Sequence, residues 1–233
     1  KSFLKGSSAG DVLMVDGLES YNEPIKIFGL IELNCFVHAR RKFTDAITAG
    51  YHVDFAKKII RKIGQLYRIE RWSNKAEVSV EKRLQLRQMF SKKILFIIKS
   101  SLMNPGFHVL PQLKIGQAIN YTLNHWTELT RFVENGEYPL DNNVVEQVIR
   151  ALTIGRKNWI CTQSEAGAKW MAEWYSIIAT CKLNNINPHE YIPDIIQRLP
   201  LRPDDMSVRD LTPIEWAKNK NDEKLTMTDY PKG

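Results

Sequence analysis

Two carboxylates far apart in the chain, Asp16 and Glu146, each stand where an acid can do chemistry. Asp16 closes the apolar run DVLMVD at residues 11–16 and precedes Gly17. It therefore reads as the carboxyl end of a buried strand, the place where α/β sheets hold their ligands. An ordinary strand-to-turn aspartate has the same pattern. Glu146 lies in YPLDNNVVEQVIRALTIGRKNW, residues 138–159, and helical spacing puts it on one face with Arg150. Asn143 to Glu146 is also a capping-box spacing, in which Glu146 would only satisfy a free backbone N–H. Arg156, Lys157 and Asn158 follow, beside Trp159: phosphate donors next to an aromatic ring. A second basic group, His38, Arg40, Arg41 and Lys42, opens HARRKFTDA at 38–46. Cations at the start of a helix oppose its dipole, so an anion nearby would account for them; a solvated basic face is the plain alternative.

Two acids on separate elements among Arg, Lys and Asn suit phosphoryl transfer with two divalent ions roughly 3.5–4 Å apart. Hard oxygen ligands select Mg2+ or Mn2+. Nothing in the chain suggests a Ser or Cys nucleophile with a His base.

The elements that must position these groups are legible in outline. FGLIELNCF at 28–36 reads as a strand beside 11–16, and a helix follows over 38–46. From about 52 to 135 the pattern is long amphipathic helices, with apolar stripes Ile59, Ile60, Ile63, Leu66, Tyr67 and then Leu84, Leu86, Met89, Phe90, Ile94, Ile97. LKIGQAINYTLNHWTELTRFVENG, at 113–136, reads as one further helix. Asp141, Asn142 and Asn143 are capping residues for a helix near Val144, which Gly155 ends. Ser164 caps a helix through about Leu183, whose buried stripe is Trp170, Trp174, Ile177, Ile178 and Cys181. Asn187-Pro188 starts another, with Pro193 marking a kink or the true start. The tail after Pro200 is polar, and its end is expected to be mobile.

Lys+Arg of 33 against Asp+Glu of 26 gives a formal charge of +7, which suits a polyanionic partner such as nucleic acid. Cys35, Cys161 and Cys181 are far apart and show no metal-ligand spacing. A reducing cytoplasm is expected. No apolar run approaches a membrane span, and KSFLKGSSAG lacks the core of a signal peptide. No membrane partner is expected.

DNN followed by Glu146 and Ile149-Arg150, then IGRKNW, then SEAGA at Ser164 to Ala168, resembles the C-terminal signature of bacterial transposases of the insertion-sequence-66 family. CFVHARRKF resembles a second family block, with Val37 where Ala is usual. The resemblance implies an RNase H-like catalytic core carrying an Asp-Asp-Glu triad, with a helical insertion between the second Asp and the Glu. Asp16 falls on the second Asp and Glu146 on the Glu, both as catalytic metal ligands for Mg2+ or Mn2+. The first Asp has no counterpart, so an N-terminally incomplete core, inactive alone, is expected. DNA, as transposon ends and target, is the implied partner, together with a homo-oligomer or accessory transposition proteins. Phosphate contacts are expected from His38, Arg40, Arg41, Arg150, Arg156, Lys157 and Asn158. Departures are Leu18 for Tyr, Gln147 for Arg, Ala151 for Pro, and the lack of a Leu-Pro-Trp ending.

The expected fold class is α/β and helix-rich overall. Residues 1–50 form partial core strands and a first helix, 51–137 the all-α insertion, 138–200 the helices carrying the Glu, and 201–233 a polar tail. The competing expectation is a non-catalytic basic remnant that binds DNA or oligomerises.

Overall fold

The computed structural model describes residues 6–17, 19–143, 146, 147, 149, 150, 153, 164–203 and 205–228. Contacts divide the chain into two units, Lys1–Val144 and Val145–Gly233.

The first unit opens with β1 (Val12–Val15), as its apolar run requires. It pairs in parallel with β2 (Ile31–Asn34), in a register from Val12↔Ile31 to Val15↔Asn34. A short helix, α1 (Asn22–Phe28), crosses between them. This corrects the strand expected over 28–36: Phe28 ends the helix, and Gly29, at φ 63, closes it. A left-handed glycine with its N–H turned back to the Ile25 carbonyl is a helix stop, so extended backbone resumes only afterwards.

Helix α2 (Phe36–Thr48) follows β2 at once and buries Phe36, Ala39, Phe43 and Ala46 at three- and four-residue spacing. Helix α3 (Val53–Lys75) lays Ala56, Ile59, Ile63 and Leu66 against that stripe. The next helix is interrupted: α4 (Val80–Leu86) passes through a π turn, Arg87–Ser91, into α5 (Lys92–Met103). Leu95, Ile98 and Leu102 are its core residues, while Met89, Phe90 and Ile97 of the expected stripe are exposed.

The reason is a buried arginine. Arg87, 1% exposed, donates to Glu70 Oε1 at 2.9 Å, to Glu70 Oε2 at 2.7 Å and to the carbonyls of Phe132 and Asn135. Its anchoring sets which face turns inward, and the π turn fits an extra residue there.

The single helix expected over 113–136 is broken at His125 into α6 (Lys114–Asn124), α7 (Trp126–Thr130) and a 3-10 turn, Arg131–Glu134. Tertiary contacts override local propensity here: His125 stands over Gly17, and Arg131 donates to the Glu32 carbonyl. One hydrophobic core runs from α2 through α3, α5 and α6 to Leu140.

In the second unit, α8 (Glu165–Leu183) is capped by Ser164, whose hydroxyl accepts the Gly167 N–H at 3.0 Å. Of its expected buried stripe only Cys181 is fully enclosed, and Trp170 is 66% exposed. Helix α9 (Pro188–Arg198) is capped by Asn187 and continues past Pro193, so the proline is neither its start nor its end. The polar tail after Pro200 contains a further helix, α10 (Pro213–Thr228). Its Trp216 is buried with Cys181, Ile186 and Tyr191, stacks edge-on to Tyr191 at 5.3 Å and donates to Asp194 at 2.6 Å.

Candidate active site

Strand β1 delivers Asp16 to the carboxyl edge of the sheet, and Gly17, at φ 84, turns the chain away. Two side chains from the α6–α7 region close over this turn. Tyr121 donates its hydroxyl to the Asp16 main-chain carbonyl at 2.8 Å. A Cβ at position 17 would lie 3.0 Å from His125 Nε2 and 3.3 Å from the Tyr121 hydroxyl, so both the left-handed backbone and the close approach call for glycine. Burial, then the Asp16 charge, then Cys35, push the Tyr121 pKa up to about 12. Tyr121 therefore stays a neutral donor at any working pH. Lys42 Nζ lies 5.3 Å from the Tyr121 ring centre and brings a cation to the same corner.

Tyr121 and His125 were missed by sequence reasoning. Their signal was an i, i+4 aromatic pair in NYTLNHW, indistinguishable from ordinary helix packing without knowing what faced it.

At the end of β2, Asn34 pairs with Val15 and is 2% exposed. Among the described residues neither atom of its side-chain amide has a hydrogen-bond partner. Glu32, one turn of the pleat earlier, has its pKa raised by burial and by Glu128, against the opposing charges of His125 and Arg131.

Of the basic block, His38 is half-buried in the first turn of α2, whereas Arg40 and Arg41 are exposed on its second turn. The dipole argument thus weighs on His38 more than on the arginines, since the end charge fades within one turn. Cys35 begins the helix, and its sulfur accepts the Asn142 N–H at 3.5 Å. Burial raises its thiol pKa, against the lowering effect of the backbone N–H donors around it. Asp141 caps the next helical segment, accepting the Asn143 N–H at 3.0 Å.

In the second unit Glu146 is helical and half-buried, and Arg150 is helical and exposed. Arg156, Lys157 and Asn158 lie outside the described residues. No helix among the described residues is long and apolar enough to cross a membrane.

Comparison with known proteins gives these residues a family. Residues 1–170 match the Transposase IS66 family, and residues 176–214 match the IS66 C-terminal element. The second match covers the C-terminal part of α8, all of α9, the segment after it and the first residues of α10. The chain is similar to uncharacterised proteins of Sinorhizobium fredii. Protein y4jD is 29% identical over 199 residues, covering 83% of this chain and 38% of that one. Protein y4qI is 30% identical over 200 residues, covering 81% and 36%. The chain thus spans just over a third of the length of these relatives. No solved structure matches it. The family match covers the strand end at Asp16, the basic block of α2 and the helical segment at Glu146 in one continuous stretch, and the chain belongs to the IS66 transposase family.

Proposed function

We propose that this chain supplies Asp16 and Glu146 to a centre that cleaves and rejoins DNA strands during transposition, on an RNase H-like core interrupted by the helices between them. The observation that carries the reading is the held turn at Asp16: an acid at a strand end whose main chain is clamped by a half-buried tyrosine 105 positions away. Ordinary turn aspartates need no such clamp.

Asp16 and Glu146 offer carboxylate oxygens, the donor class that Mg2+ and Mn2+ prefer. When bound, the ions would activate the attacking hydroxyl and stabilise the leaving oxygen. Tyr121 and Gly17 fix the direction in which Asp16 leaves the strand. Lys42 puts positive charge near the same edge, and His38, Arg40, Arg41, Arg150, Arg156, Lys157 and Asn158 serve as phosphate contacts for transposon ends and target DNA.

The test is a transposition assay in cells, paired with DNA binding by the purified protein. Asp16→Asn and Glu146→Gln should each abolish transposition while leaving duplex affinity within about twofold, because neither carboxylate contributes a phosphate contact. Transposition that survives both changes would refute the catalytic assignment and leave a DNA-binding role.

A further inference from the structure

Helices α2 and α3 enclose a cleft of about 410 Å³ on the first unit, lined by Val37, Arg40, Gly64, Tyr67, Arg71 and Asn143. Gly64, Tyr67 and Arg71 recur at i, i+3 and i+7 along one face of α3, and Val37 and Arg40 at i, i+3 along α2. Both guanidiniums are on exposed residues. Among the described residues neither is engaged by a hydrogen bond or an ion pair. Two like charges brought to one concavity repel, and an anion between them removes that repulsion.

Gly64 is the second observation. A glycine inside a helix is destabilising relative to alanine, so it calls for a reason. Elsewhere the reason is close packing: a Cβ at Gly116 would meet the Leu110 carbonyl oxygen at 2.2 Å, and one at Gly136 the Val80 carbonyl oxygen at 2.1 Å. At Gly64 a Cβ would meet nothing within 4 Å. No neighbour requires the glycine; what it preserves is open space against the helix backbone, between two arginines.

Asp141 accepts the Asn143 N–H at 3.0 Å and the Asn143 side-chain amide at 2.7 Å, and its charge acts on Tyr67, so two guanidiniums stand against one carboxylate and the balance at the cleft stays positive. The Tyr67 hydroxyl is buried beside it, its pKa raised by burial and by the Asp141 charge, while Arg40 acts in the opposite sense. Arg40 lines the same cleft.

We propose that this cleft is a phosphate-binding site, in which Arg40 and Arg71 hold one phosphodiester of DNA over the open backbone at Gly64. The assignment rests on the DNA-directed function above and adds to it a subsite that includes Arg71, a residue outside the basic block of α2. Arginine suits the task because its planar fork matches phosphate oxygens in pairs.

Fluorescence anisotropy with a short labelled duplex, measured across a salt series on the full chain without divalent metal, tests this. Arg71→Gln should weaken binding roughly eightfold at about 0.1 M salt and reduce the salt slope by about 0.9, the loss of one phosphate contact. Arg61→Gln, an equal charge change at an exposed site on α3 outside the cleft, should do much less. Gly64→Leu should weaken binding with no charge change, by filling the space. Equal responses from Arg71→Gln and Arg61→Gln overturn the cleft while leaving the DNA-directed function intact. If the unaltered chain binds no duplex, that function fails, and inorganic phosphate separates the sources. Saturable phosphate binding that Arg71→Gln removes assigns the cleft to a free phosphate; no such binding overturns it.

Discussion

Two polar residues are buried almost equally in the first unit, Arg87 at 1% exposure and Asn34 at 2%, and they are treated in opposite ways. Arg87 has a bidentate carboxylate and two carbonyls, and its guanidinium lies 5.3 Å from the Phe132 ring centre. Asn34 has no hydrogen-bond partner among the described residues. A buried charge is tolerable only when every donor is matched, so Arg87 belongs to the scaffold and binds the π turn to α3 and the 3-10 turn. An unmatched amide is a cost that packing alone does not explain, and it sits at the carboxyl edge of the sheet, beside the strand that ends in Asp16.

The contrast can be broken or sharpened by substitution. Glu70→Gln should have the largest effect, about 3–5 kcal/mol of lost stability in urea unfolding, because it strands a buried charge. Replacing both partners by Met should recover most of that loss, and a double variant as unstable as the single one would deny that Arg87 and Glu70 act as a pair. Gly136→Ala comes next, at about 1–3 kcal/mol, since its methyl must displace the Val80 backbone. Asn34→Leu should be neutral or stabilising by about 1 kcal/mol, and a large loss would mean that the amide is satisfied after all.

The smallest effect is a pH dependence. Glu32 has a folded-state pKa raised above its ordinary 4.5, so the fold favours its protonated form. Its contribution to stability is fully present below about 4.5 and is lost as pH rises through the folded value. Glu32→Gln should flatten that decline in thermal melts taken between acid and neutral pH.

What could be read from the sequence was what local chemistry decides. The Ser164 and Asn187 caps, the β1 run and the core stripes of α2 and α3 depend on neighbours a few residues away, and they were legible. The face of α5 was not, because it follows from an ion pair between Arg87 and a residue 17 positions earlier. The break at His125 and the folding of the tail around Trp216 fail for the same reason: each is made by a distant partner, Gly17 in one case and Tyr191 in the other. At the candidate site, Asp16 was visible from its strand, whereas the tyrosine that holds it was not.

The brevity of the β1–β2 crossover carries a consequence for how the site is made. Residues 16–30 are all that separate the strands, a connection near the lower limit for parallel pairing. So short a loop closes at little entropic cost, and sequence-local contacts form early. Tyr121 lies 105 positions beyond Asp16 and, at typical synthesis rates, leaves the ribosome roughly 5–20 seconds later. The acid is thus set at its strand end by a local event, and the hydroxyl that fixes it arrives as a late, separate step of folding.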